Sequence, residues 1–306
     1  MSAPHRQSLT PNGIGLAYGV AAYGAWGLFP LFWPILEPAD PFEILACRIV
    51  FCFAVVAIIL AVRHQLRGLR TMDRGTLLRL CAAGIAIAVN WGIYIWGVNN
   101  GHVIETSLGY FINPLITIGL GVVILRERLR VVQWMAVALG LVAVTVLSFD
   151  YGRPPWIALA LAVSFAIYGY IKKGVKVSPP EGLVIEGAVL TIPALVLLAA
   201  LAFSGHATWI GPDATAGHLV LLVSAGPVTA LPLLCFAGAA KRLPLSTMGL
   251  LQYMTPVLQF VIGVLILRES TSFALLCGFG LVWIALAVLA VDGIRHRSRI
   301  PEAVAA

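Results

Sequence analysis

The segment Asn113-Pro-Leu-Ile-Thr-Ile-Gly-Leu-Gly-Val-Val-Ile-Leu-Arg-Glu127 returns 142 residues later as Thr255-Pro-Val-Leu-Gln-Phe-Val-Ile-Gly-Val-Leu-Ile-Leu-Arg-Glu269, without a gap and with seven of 15 positions identical. Apolar segments match by chance more than most, so the co-registered Pro, Gly and Arg-Glu carry the weight. At the same offset Trp26-Gly27 meets Tyr168-Gly169. Around these segments run apolar stretches at 12–35, 43–62, 77–98, 103–125, 131–149, 154–171, 182–203, 217–240, 245–267 and 272–291. Each is near the roughly 20 residues that a helix needs to cross a bilayer. The expectation is an all-α integral membrane protein of ten transmembrane helices in two five-helix repeats, 12–149 and 154–291. An odd number of spans per repeat sets the two halves in opposite orientations. Inverted repeats place a binding site near the midplane and supply a rocking motion for alternating access.

Composition agrees and excludes much else. The 306 residues are 60% hydrophobic and 11% charged, against about 25% charged in an average soluble domain. No segment between the apolar runs reaches the roughly 50 residues of a small soluble domain. The first apolar run is too long for the core of a signal peptide and reads as a retained helix.

The net charge of +7 reports topology and no nucleic-acid partner. With the N-terminus in the cytoplasm, 17 of the 20 Lys and Arg residues fall on the cytoplasmic side; Arg153 and Arg268 fall outside, and Arg48 lies within a helix. Both ends are therefore expected in the cytoplasm of a multi-pass protein of the plasma (inner) membrane. The five cysteines all sit in apolar runs without CxxC or His pairing, so neither a disulfide framework nor a metal site is expected. No cofactor is expected either: the sequence has no GxxxxGK[ST], HExxH or GxSxG motif. Gly13-Ile-Gly15 and Gly278-Phe-Gly280 lie inside apolar helices without the strand that a dinucleotide turn requires.

Few charges enter the spans. Arg48 lies five residues into the second run, about 8 Å below the surface at 1.5 Å per residue. An Arg near the bilayer centre costs at least about 2.5 kcal/mol, so it should face a wet cavity or a partner. Read functionally, it anchors an anionic group; read structurally, it snorkels to the interface. Glu186 follows Glu181 at the spacing by which Arg48 follows Glu43. Inverted topology sets those two at different depths, ~14 Å apart in a core ~30 Å thick. Glu105 is the expected partner of Arg48, and Lys172 or Lys173 that of Glu186.

Polar and aromatic residues form a second constellation. Asn90 and Tyr94 share one helical face, as do Tyr110 and Asn113, and Gln252, Thr255 and Gln259 form a stripe beside Tyr253. Such faces meet inside a bundle, as interhelical ties or as the lining of a cavity with Trp26, Trp91 and Tyr168. Pro114 and Pro256 mark matched bends or gating points. The two Arg-Glu pairs read as helix caps. Gly15 and Gly19 are compatible with close helix contact and hence with a homodimer.

Asn90-Trp-Gly-Ile-Tyr-Ile-Trp-Gly-Val-Asn-Asn100, Glu105-Thr-Ser-Leu-Gly-Tyr-Phe-Ile-Asn-Pro114 and Leu245-Ser-Thr-Met-Gly-Leu-Leu-Gln-Tyr-Met-Thr-Pro256 closely resemble the RarD branch of the EamA transporters, in the drug/metabolite transporter superfamily. The resemblance runs over nearly the whole chain. It implies a non-enzymatic permease of ten helices that exports or exchanges a small metabolite or amphipathic drug by alternating access, with membrane lipid as its surroundings. Two other readings have distinct requirements. A non-transporting partner or sensor would pack the polar faces around no cavity. A membrane enzyme for lipid-linked substrates would need a clustered acid, base or metal constellation at one membrane face, which this sequence lacks.

Overall fold

The computed structural model of the chain describes residues 11–63, 72–126, 129–173, 175, 177, 179–210, 214–243 and 245–297. Its helices are α1 (Pro11–Phe32), α2 (Pro41–Val62), α3 (Arg74–Asn99), α4 (Val103–Leu125), α5 (Val131–Asp150), α6 (Trp156–Lys173), α7 (Pro179–Phe203), α8 (Ala216–Ala240), α9 (Leu245–Gln252), α10 (Met254–Val261) and α11 (Phe273–Arg297). A 3-10 turn, Trp33–Leu36, follows α1, and a π-helical turn, Ile262–Ile266, follows α10. Among the described residues there is no strand.

Local chemistry sets several helix starts. Asp40 accepts from Phe42 N at 2.8 Å with Pro41 in the first turn, and Thr215 accepts from His218 N at 3.1 Å. These side chains satisfy N–H groups that a helix start otherwise leaves open. The four residues between the third and fourth apolar runs, Asn99–His102, make a tight turn. Gly101 takes φ +72°, and His102 N donates to Gly97 O at 2.8 Å, closing α3 with the left-handed glycine that this cap requires.

Among the described residues, eight helices are long and apolar enough to cross a membrane; the expected sixth and ninth spans are the shorter apolar helices Trp156–Lys172 and Leu250–Ile266. The ninth departs from the single helix expected over 245–267. It is interrupted at Tyr253 and loosened again by the π turn. Pro256 has no N–H for the carbonyl of Gln252, so the helix loses a rung one turn before the proline. Its repeat counterpart α4 carries Pro114 and stays continuous. Both repeat segments end alike, with Arg126 at φ 54° and Arg268 at φ 52°.

The connections define two ends of the bundle. At one, here the Gly101 end, Glu43 meets Thr208, Glu105 meets Arg153, Glu269 meets Val103, and Ser272 donates to Asp150. At the other, the Lys172 end, Gly15 faces Arg242 and Leu243, and Gly182 faces Leu80. Gly15 and Gly19 are thus occupied inside the chain, Gly19 by Leu251.

The extensive helix contacts run between the two sequence halves, and they come in exchanged pairs. α1 packs on α8 as α6 packs on α3, α2 on α8 as α7 on α3, and α4 on α6 as α10 on α1; α2 with α7 and α5 with α11 are their own counterparts. Large apolar side chains face outward, Phe203 at 93% exposure and Phe149, Ile192 and Val123 among others. Arg48, Asn90, Glu105, Asn113, Glu186 and Gln259 are buried. Polar groups inside and apolar surface outside suit a lipid solvent, and the chain is a multi-pass membrane protein.

Candidate binding cavity

A cavity of about 630 Å³ lies between the halves, within the range of about 300–1,000 Å³ usual for small-molecule sites. Arg48, Asn90, Trp91, Tyr94, Tyr110, Tyr168, Glu186, Gln252 and Pro256 line it. Helices α1, α8 and α10 add Tyr23, Trp26, Phe29, Thr229, Phe236, Thr255 and Gln259. The wall reaches Ala240 and Leu243 at the Lys172 end, whereas no residue of the described connections at the Gly101 end lines it. Asn113, Pro114, Tyr253 and Glu105, expected among the cavity and bend residues, stand outside the wall.

Arg48 is 3% exposed and sits among rings: its guanidinium carbon is 4.0 Å from the centroid of Trp91, 4.9 Å from Trp33 and 5.6 Å from Phe29. Cation–π attraction to several desolvated rings, about 2 kcal/mol for a good one, offsets part of the burial cost. The expected pairing with Glu105 is corrected. Glu105 instead binds Arg153 Nη2 at 2.8 Å and Nη1 at 3.3 Å, and accepts from Ile157 N at 3.1 Å. Its place at the start of α4 sets it beside the open N–H groups of α6, which hold a carboxylate well. That contact also raises the affinity of Arg153 for its proton, chiefly through the hydrogen bond to Glu105. Both residues were visible in the sequence; that the fold brings α6 beside α4 was not.

Glu186 behaves as expected. Lys172 Nζ lies 2.6 Å from Glu186 Oε1, and Tyr168 OH donates to Oε2 at 3.4 Å. Gly84 brings α3 against the Glu186 backbone, where an added Cβ would sit 3.5 Å from Glu186 Cα and O.

The amides tie helices together and line the cavity at once. Asn90 Nδ2 donates to Leu161 O at 3.0 Å and Ser164 Oγ at 3.1 Å, while Tyr110 OH donates to Asn90 Oδ1 at 3.3 Å. Gln259 Nε2 donates to Tyr94 OH at 2.9 Å and Trp26 O at 3.1 Å, and Thr255 Oγ1 to Tyr23 O at 2.8 Å. Asn113, behind the wall, donates to Ala162 O at 3.0 Å. Tyr253 packs at the helix interruption against the core around Phe279.

Among the described residues, three on the cavity wall keep buried polar atoms without a partner: Arg48 at Nε and Nη1, Thr229 at Oγ1 and Gln259 at Oε1. Thr229 escaped the sequence reading. Its signal there was a lone hydroxyl between Pro227 and Pro232 in an apolar run.

At the Gly101 end, three carboxylates bind backbone N–H groups of other segments. Besides Glu105, Glu269 accepts from Val103 N at 2.6 Å and Ile104 N at 2.8 Å. Glu43 accepts from Thr208 N at 3.0 Å and Thr208 Oγ1 at 3.1 Å, with His218 Nε2 2.7 Å from that hydroxyl. The Arg268-Glu269 pair thus caps a helix, but the helix is α4 and not its own; Glu127 lies outside the described residues. Among the described residues, no cluster of His, Cys, Asp or Glu could hold a metal.

The model of the EamA-like transporter family matches residues 13–149 and again 154–291. Protein RarD of Streptomyces exfoliatus is 52% identical over 93% of this chain and 90% of its own length. An uncharacterized transporter of Pseudomonas aeruginosa is 41% identical over 94% and 97%, and protein RarD of Escherichia coli 38% over 93% and 96%. A solved structure at 20% identity superposes with a TM-score of 0.57, covering 90% of this chain and 96% of that one.

Proposed function

This chain belongs to the EamA-like transporter family, and we propose that it works as a secondary transporter that exports or exchanges a small amphipathic solute by alternating access. In this reading 12–149 and 154–291 are two inverted repeats of five spans each, ten in all. The exchanged helix pairing and the repeated family match support that division. Both termini lie in the cytoplasm of the inner membrane, as the distribution of Lys and Arg favours. The Gly101 end then faces outward and the Lys172 end inward.

The observation that carries the reading is the cavity: it lies between the halves, reaches Leu243 at the Lys172 end and stops at Arg48 short of the other. A non-transporting partner or sensor would not need it. The state is inward-facing, and the ties made by Glu43, Glu105 and Glu269 close the outer side. Rocking the halves must break those ties and close the space beside Leu243. No nucleotide motif supplies energy, so movement follows a gradient or exchange.

Two-sided labelling tests this. In a variant whose only cysteine is Cys52, on the cavity wall, a membrane-impermeant maleimide should react in inside-out vesicles and poorly in right-side-out ones. A transported solute should redistribute that access. Equal labelling from both sides, unmoved by a broad metabolite panel, would count against alternating access.

A further inference from the structure

The cavity wall carries two full charges, Arg48 and Glu186, and one of them is already answered. Lys172 Nζ is 2.6 Å from Glu186 Oε1, so that pair adds no net charge. The other titratable wall groups, Tyr23, Cys52, Tyr94, Tyr110 and Tyr168, are neutral at neutral pH. One uncompensated positive charge is left, on a side chain that is 3% exposed.

The rings around Arg48 cannot complete it. Trp91, Trp33 and Phe29 act through the negative faces of their π-systems. In-plane N–H groups need oxygen acceptors, and Arg48 Nε and Nη1 have no partner among the described residues. Nη2, which is not among those buried unpartnered atoms, shares a fork with each of them, and a guanidinium fork matches a carboxylate or similar oxyanion. The rest of the wall, with Trp26, Trp91, Phe165 and Phe236, is apolar and flat-faced. A cation would meet repulsion, a dianion would bring a second, unpaired charge into a low dielectric, and an uncharged solute would leave the fork unanswered.

Resting on the transporter reading above, we infer that the solute is an organic monoanion: one carboxylate, or an oxyanion of like shape, seated on Arg48, with an apolar body spread over the aromatic wall. Arg48 is then the specificity-determining residue. Its structural role is only to be buried among rings, and it holds no helix to another through an ion pair.

The test uses the full chain in nanodiscs of zwitterionic phosphatidylcholine, with 3-phenylpropionate, its amide and 2-phenylethylamine as a matched set. Titration calorimetry on the unaltered protein should show the acid binding about tenfold or more tighter than the amide, and the amine weakest. Arg48→Gln should bring acid and amide to about equal affinity, and Arg48→Lys should restore part of the preference. A ratio near one in the unaltered protein overturns the inference, whatever the variants do. So does a preference that survives Arg48→Gln, or no binding of any of the three at millimolar concentration. Displacement of the acid by phosphatidylglycerol added to the discs would hand the site to a lipid headgroup and overturn its assignment to a solute. Acid-selective binding without solute movement in proteoliposomes upholds the anion site and removes the transporter reading instead.

Discussion

Arg48 in α2 and Glu186 in α7 follow Glu43 and Glu181 at the same spacing, yet the fold treats the two charges in opposite ways. Glu186 is neutralised within its own half by Lys172 at 2.6 Å and braced by Tyr168. Arg48 meets no carboxylate among the described residues; three rings surround it and two of its nitrogens are unpartnered there. The sequence position is shared, but the neighbourhood is not. α7 meets the basic end of α6, whereas Glu105, at Arg48's end of the bundle, is drawn off by Arg153 and the start of α6. A complete ion pair has its charge answered by the protein. An incomplete one leaves that charge to whatever enters the cavity.

The largest effect is expected at the complete pair. Lys172→Met leaves the Glu186 carboxylate buried with only Tyr168 beside it. It should cost about 3 kcal/mol, the low end for a broken buried pair because Lys172 is 25% exposed. Denaturant unfolding in detergent micelles measures the loss, and adding Glu186→Gln should recover most of it.

Glu105 is the intermediate case, a buried carboxylate paired to a partly exposed Arg153. Glu105→Ala removes that pair and the cap on Ile157 N, and should cost about 2 kcal/mol in the same assay. It should also raise outward access to Cys52, since one outer tie is gone. A stability loss without change in labelling would show that Glu105 braces the fold and does not hold the outer side shut.

Arg48→Gln should change stability by no more than about 1.5 kcal/mol. Lost cation–π attraction of about 2 kcal/mol is set against relief of a burial cost of about 2.5–3.5 kcal/mol. Its effect should fall on solute selectivity. A loss as large as that of Lys172→Met would break the comparison, because it would mean that Arg48 has a structural partner after all.

The smallest effect concerns a carboxylate outside the membrane. Asp73 holds the start of α3 through Thr76 Oγ1 at 2.6 Å and Thr76 N at 2.9 Å, and the Thr76 side-chain bond, with the backbone bond behind it, lowers its proton affinity. A carboxylate whose folded value is depressed stabilises above its unfolded value of about 3.9 and loses that contribution as pH falls through the folded one. Asp73→Asn should therefore lower stability slightly at neutral pH, leave it unchanged below the folded value, and so flatten the acid limb of the unfolding curve.

Much of the fold is legible from periodicity alone. The apolar runs become helices, and the Asn99–His102 turn closes with Gly101 at φ +72°. The candidate site is partly legible. Asn90, Tyr94, Tyr110, Gln252 and Arg48 meet on one wall, since polar faces in apolar helices have only the bundle interior to turn to. Asn113 has the same signature and is spent on Ala162 O instead, one helix behind the wall. Thr229 sits on the wall as a lone hydroxyl among prolines, with no helical stripe to announce it. The single span expected at 245–267 is broken at Tyr253, whereas α4, with its proline at the matched place, is whole. A proline removes a rung in both, and whether the helix tolerates the gap depends on what packs beside it.

What the sequence determined by itself was the solvent, the helices and the duplication, because each depends on local apolar length and spacing. Only the tertiary structure decided which charges meet. Ion pairs and hydrogen bonds act over a few ångströms between segments as distant in sequence as Glu43 and Thr208 or Glu269 and Val103. Whether Arg48 finds a carboxylate or a cavity is therefore settled by which helices lie side by side.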